Sequence, residues 1–253
     1  MSAMRIASLM FCCLLFGGTS YAATTVIGHK AQSATSEKSN KAVHKVKRIK
    51  INAVTDEDDA WVGNVETNIY RAGTFENVQV GYSASNDWDF ALSMLNTQVI
   101  GPNKYFQGDT FFSIAKTLAL AKDVSFVIGS QNGLTLFNTQ PRQWYNYNYL
   151  DLRYDVVPEL MIHAGPYFAN KALTNTVRKI GYLTGAEITF IPNQLALQMD
   201  YISGHHSLSG ATVNMLVNIT THSQVYFGVY VPEKDSGNEF SGIVGFNLST
   251  KRL

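Results

Sequence analysis

From Trp61 to the end of the chain, apolar and polar residues alternate with a period of two rather than 3.6. That is the pattern of β-strands with one apolar and one polar face. Twelve such segments can be marked, over residues 61–70, 76–84, 87–98, 106–120, 122–136, 143–154, 158–168, 176–190, 193–204, 208–220, 223–231 and 238–249. In 193–204, Leu195, Leu197, Met199 and Tyr201 oppose Gln194, Gln198 and Asp200. In 223–231, Val225, Phe227, Val229 and Val231 oppose Gln224, Tyr226, Gly228 and Tyr230. Strand 61–70 sets Val65 and Ile69 against Asn64, Glu66 and Asn68. No segment free of turn residues carries a helical stripe.

A water-soluble sandwich and a transmembrane barrel share this alternation, with opposite faces turned inward. Three features favour the barrel. Many of the segments are longer than typical sandwich strands, and an oblique membrane crossing needs about nine to eleven residues. The polar faces are rich in Gly, Ser, Ala, Asn and Gln, as a crowded wet interior requires. Gly81, Gly129, Gly165, Gly181, Gly185, Gly228 and Gly245 fall within strands, where a closing sheet needs to curve.

The connections supply the third feature. Every second one is tight, around residues 84–86, 121–122, 156–158, 192–193 and 221–222. The others are longer, over 99–105, 138–143, 170–176, 204–208 and 232–238, although 72–75 is short. Short turns alternating with longer loops fit an up-and-down barrel with both termini on the short-turn side. Trp61, Tyr70, Trp88, Tyr105, Trp144, Tyr145, Tyr147, Tyr149, Tyr154, Tyr167, Phe168 and Phe190 lie near strand ends. They are expected to form interfacial girdles, although aromatics favour sheets in any case.

The amino terminus fixes the compartment. Arg5, the apolar run Ile6–Phe16 and the small residues ending in Ser20-Tyr21-Ala22 read as a secretory signal over 1–22, too short to span a bilayer. Cys12 and Cys13 leave with it, so the mature chain is expected to contain no disulfide and no thiolate metal site. Residues 23–59 carry seven Lys/Arg in 24–59 and no aromatic apart from the histidines, and read as a disordered basic arm. Its His44–Lys50 stretch is either a solvated linker or a contact for anionic lipid. From residue 60 onward, 12 Lys/Arg face 14 Asp/Glu, which argues against a nucleic-acid partner. Residues 60–253 are expected to be the barrel.

At this level the chain resembles the outer-membrane β-barrels of Gram-negative bacteria. The resemblance is architectural, carried by the alternation, the strand lengths and the connection parity. It implies an all-β, antiparallel transmembrane barrel of about twelve strands, with both termini in the periplasm. It also implies outer-membrane lipids including lipopolysaccharide, and the barrel-insertion machinery, as partners. Such barrels end on an aromatic residue. Here Phe246 and Leu248 take the equivalent outward positions, and the tail Lys251-Arg252-Leu253 departs from the pattern.

Two sets of residues are candidates for chemistry. The stretch Ser203–Gly210 contains His205 and Ser207, which resemble the His-x-Ser pair of outer-membrane phospholipases and lipid A deacylases. In that reading His205 is the base and Ser207 the nucleophile. Asn214 and Asn218 sit where an orienting acceptor is needed, but alternation turns them to the lumen, so a solvated hairpin tip is the preferred reading. The second set faces inward by parity: Asp151, Arg153, Glu159, His163, Lys179, Glu187, Asp200, Tyr226 and Tyr230, with Tyr167 beside them. These residues either line an aqueous path or pair up and fill it. Lys116 shares the apolar face of Phe112, Ile114 and Leu118, which requires either an interfacial lysine or a bulge. No metal site or cofactor is indicated. The expected function is passage of small solutes, with acyl hydrolysis or an envelope-structural role as alternatives.

Overall fold

The alternating segments fold as twelve strands. The computed structural model describes residues 59–101, 108–136, 143–174 and 179–250. The signal, the basic arm up to residue 58, the girdle candidate Tyr105 and the tail 251–253 lie outside these residues. The first six strands are β1 (Ala60–Tyr70), β2 (Gly73–Ser83), β3 (Trp88–Ile100), β4 (Gly108–Ala121), β5 (Val124–Leu136) and β6 (Trp144–Val157). The second six are β7 (Leu160–Ala169), β8 (Ile180–Ile191), β9 (Leu195–Ile202), β10 (Gly210–Thr220), β11 (Ser223–Pro232) and β12 (Ser241–Ser249). A short helix, α1 (Lys171–Thr174), lies between β7 and β8.

Each strand pairs antiparallel with its sequence neighbour, and β12 returns to β1 to close the barrel. The closing seam runs from Val62↔Ser249 to Ile69↔Gly242. Phe246, opposite Val65 and Val225, faces outward, so the last strand is fully seated despite its basic tail. The tight turns gather at the end of the barrel that carries Asp59 and Thr250. At Asp87 and Asn193 they use positive φ, a conformation that Asp and Asn tolerate better than most residues. The longer connections gather at the opposite end, called the loop end below.

The faces are inside-out relative to a soluble domain. Leu92, Phe112, Ile180, Met215, Phe227 and Leu248 are exposed on the outer wall, whereas Glu66, Asn68, Asn77, Asp151 and Gln224 are fully buried inside. That distribution suits a barrel whose outer solvent is lipid. Lys116 remains on the outer face without a bulge, because the nearby register shift falls at Ala119/Ala121. It sits opposite Trp88 at the tight-turn end, bonds the Asn86 carbonyl, lies 3.8 Å from Asp87 and lies 5.6 Å from the Trp88 ring centroid. The lysine reaches the interface.

The girdle reading fails for Tyr147 and Tyr149, and the inward reading of Tyr167 holds. Inward Asp151 and Arg153 set the parity of β6, and that parity carries Tyr147 and Tyr149 into the interior with them. Tyr149 crosses to β5 and lies against Gly129, where a Cβ would fall 2.1 Å from its ring. Tyr147 stacks on Tyr167 at 5.3 Å, and Leu173 of α1, Leu183, Ile202 and Leu208 complete an apolar layer toward the loop end.

Candidate lumen site

Four adjacent strands bring one charged cluster together inside the barrel. Asp151 and Arg153 are alternate residues of β6, His163 lies on β7, Glu187 on β8 and Asp200 on β9; all five are buried. Alternation alone puts them on the inner face. Register puts them side by side: Arg153 opposes His163, His163 opposes Gly185, and Gly185 opposes Asp200. The missing side chain at Gly185 lets the imidazole cross β8.

The contacts are short and directed. Arg153 Nε donates to Asp151 Oδ2 at 2.9 Å. His163 Nδ1 donates to Asp151 Oδ1 at 3.0 Å, and its Nε2 donates to Asp200 Oδ1 at 3.0 Å. Carboxylates only accept, so an imidazole with a proton on each nitrogen satisfies both sides. Arg153 Nη2 and Asp200 Oδ2 are buried and make no hydrogen bond within the protein. They are the cluster's unspent donor and acceptor.

Two residues expected in this set lie elsewhere. Glu159 is exposed in the tight turn before β7, and Lys179 is exposed just ahead of β8. Parity assigned them inward, but both fall beyond the strand ends, where alternation no longer dictates direction. Tyr226 and Tyr230 do face inward, in separate surroundings. The Tyr226 hydroxyl donates to Glu66 Oε2 at 2.9 Å, and the Tyr230 hydroxyl donates to the Ser209 carbonyl at 2.6 Å.

A second polar group, centred on Glu66, lies outside the set that the sequence pattern marks. Glu66 accepts from Asn68 and Asn77 as well as from Tyr226, while Asn64 bonds Tyr226 and Asn247. Its signal lies in the alternation of Asn64, Glu66 and Asn68; Asn77 faces Glu66 across the β1–β2 hairpin, whereas Tyr226 on β11 and Asn247 on β12 become neighbours only when the barrel closes. Asp89 and Asp109 also sit on inward positions. Among the described residues, Arg153 and His163 are the cationic side chains facing inward from strands. The interior is acidic on balance.

The stretch Ser203–Gly210 is not a solvated tip. His205 is exposed, but Ser203 and the residues from His206 to Gly210 are buried where the loop folds into the barrel mouth. His205 Nδ1 faces the Lys234 carbonyl at 3.0 Å, while Ser207 Oγ donates to the Leu173 carbonyl at 2.5 Å. The pair is split between solvent and interior, so no nucleophile–base contact exists. His206, the spacer in that reading, is the residue that reaches the interior. Leu208 N–H donates to its Nδ1 at 3.2 Å, and its Nε2 meets the Tyr167 hydroxyl, which donates onward to the Ser203 carbonyl at 2.6 Å. This network selects the neutral ring protonated at Nε2. Burial, reinforced by the neighbouring His205, lowers the His206 pKa to about 4.

No family model matches the chain, and no curated protein matches it. Several solved porins share its fold. A KdgM porin in complex with disordered oligogalacturonate aligns with a TM-score of 0.54 and 13% identity, over 74% of this chain and 98% of that one. Another KdgM porin structure gives 0.53 and 14%, over 74% and 98%. The NanC porin gives 0.54 and 9%, over 76% of this chain and 100% of its own. The chain therefore has the twelve-stranded fold of porin-like outer-membrane proteins.

Proposed function

We propose that the protein is a narrow outer-membrane channel for small solutes, with a preference for cationic or uncharged ones. The carrying observation is the buried cluster of Asp151, Arg153, His163, Glu187 and Asp200, in which carboxylates outnumber cationic groups. A barrel needs only outward apolar residues and backbone pairing to sit in a membrane. Concentrating ionisable groups inside costs desolvation unless water or solute reaches them. Arg153 Nη2 and Asp200 Oδ2, buried without a partner in this closed arrangement, become a donor and an acceptor for such a guest when the interior opens.

The acidic balance supports the choice of solute. One similar porin is described in complex with oligogalacturonate, a polyanion. In this chain inward carboxylates on β1, β3, β4, β6, β8 and β9 repel such a chain. Termini on the periplasmic side put the apolar layer of Tyr147, Tyr167, Leu183, Ile202 and Leu208 at the outer mouth. The Ser203–Ser209 connection then acts as the movable part of that closure, since side-chain and backbone hydrogen bonds rather than strand pairing hold most of it.

Swelling of liposomes containing the mature protein tests this reading. Small amines and neutral polyols are expected to enter faster than carboxylates of equal size. Entry at equal rates, or faster entry of the anions, contradicts the proposed selectivity.

A further inference from the structure

The outer wall of β5 and β6 carries a closed ring of polar side chains. Ser130 Oγ donates to Asn148 Oδ1 at 2.8 Å, and Asn148 Nδ2 donates to Asn146 Oδ1 at 2.6 Å. Asn146 Nδ2 donates to Asn132 Oδ1 at 2.8 Å, and Asn132 Nδ2 returns to Ser130 Oγ at 3.1 Å. Inward residues of the same strands include Gln131, Tyr147 and Tyr149, so alternation turns the ring to the lipid side. Each asparagine spends one N–H on the ring and keeps a second.

The surroundings are mostly apolar, with Asn170 beside Asn146 toward the loop end and Lys116 on the wall of the adjoining groove. Ile114 and Phe112 lie opposite Ser130 and Asn132, and Phe168 lies opposite Asn148. The pair Ile128↔Leu150 bounds the ring below, and Leu134↔Trp144 bounds it toward the loop end. A groove of about 680 Å³ runs beside it, lined in part by Ile114, Ile128, Ser130, Asn148, Leu150 and Phe168. Trp144 marks the interfacial level, which puts the ring below the headgroups. Acyl chains offer no acceptor to the remaining N–H groups there.

We infer that this face is where two copies of the chain meet in the membrane, ring against ring. Primary amides both donate and accept, so the patch is complementary to itself, as a twofold interface requires. Two copies inserted the same way round hold their rings at the same depth about an axis along the membrane normal. The groove beside each ring then receives the Phe112 and Phe168 side chains of the other copy. Polar groups facing each other across such an interface stabilise association that apolar surfaces in lipid do not drive.

Cysteine cross-linking in membranes tests the contact, because the mature chain is expected to be free of native thiols. Phe168→Cys beside the ring is expected to give a cross-linked dimer with a short bis-maleimide, whereas Val244→Cys on β12 is not. Replacing the ring by Ser130→Ala, Asn132→Leu, Asn146→Leu and Asn148→Leu should lower the Phe168→Cys dimer yield about tenfold. Heat-modifiable migration verifies that this variant still folds, and the single change Asn146→Val should lower the yield in the same direction. Equal cross-linking at both sites, or unchanged yield without the ring, overturns the inference. So does a monomer that retains lipopolysaccharide on this face.

Discussion

His163 on β7 reaches over Gly185 of β8 to Asp200 on β9, its Nε2 standing 3.0 Å from the carboxylate Oδ1. Its other nitrogen holds Asp151 on β6 at the same distance. One imidazole therefore links three strands and crosses a fourth. His163→Leu removes the shared donor and leaves two buried carboxylates facing an apolar side chain. The expected loss of unfolding free energy is about 3–5 kcal/mol, read by denaturant titration of the refolded barrel. His163→Gln, which can still donate one hydrogen bond, should lose less. Equal stability of all three proteins would remove the cluster's structural importance.

Gly185 is the position where the cluster tolerates least. A Cβ there would fall 2.2 Å from His163 Nε2 and 2.5 Å from the Met199 carbonyl. At Gly242 nothing lies within 4 Å. Gly185→Ala should destabilise the barrel by about 1–3 kcal/mol. Gly242→Ala should leave it close to native, and thermal gel-shift midpoints compare the two directly.

The loop closure should respond to acid. The His206 pKa is lowered from 6.5 to about 4 in the folded loop, so over that interval the released loop binds more protons than the seated one. The stabilising contribution is complete above about pH 6.5 and is lost as pH falls through about 4. The incoming proton must take Nδ1, where the Leu208 N–H already points. Hydrogen exchange across residues 203–210 should quicken through this window, and His206→Gln should flatten the dependence. A flat profile in the wild-type protein would sever His206 from the closure.

Much of this architecture is legible in the amino-acid sequence. Twelve strands, the inward positions of Asp151, Arg153, His163, Glu187 and Asp200, and the inward Tyr226 and Tyr230 follow from a period of two, and the turn parity follows from the lengths of the connections. What alternation does not contain is register. It places His163 and Asp200 on one face without making them neighbours, and it hides the contact of Glu66 with Tyr226 until β12 pairs with β1. It also stops at the strand ends, which is why Glu159 and Lys179 were misplaced and why the Ser203–Ser209 loop could fold inward. In Trp144–Tyr149 the apparent polarity itself misleads. The tyrosines there fill the interior, and the asparagines face out and satisfy one another.

Acyl-ester hydrolysis is expected to be absent. His205 and Ser207 are committed to the carbonyls of Lys234 and Leu173 respectively. Detergent-solubilised wild-type protein should release no more product from a fluorogenic ester than the His205→Ala and Ser207→Ala variants. Hydrolysis that disappears in both variants would restore the pair as a catalytic unit.

Planar-bilayer recording is the decisive measurement. The folded mature protein should give discrete conductance steps, more frequent near about pH 4 or in the His206→Ala variant, where the closure is released. In a salt gradient the reversal potential should show cation preference, and Glu187→Gln with Asp200→Asn should move it toward zero. Folded protein that gives no steps in either the wild-type or the loop-released form would contradict a channel. Steps with anion preference would contradict the acidic cluster as its selectivity element.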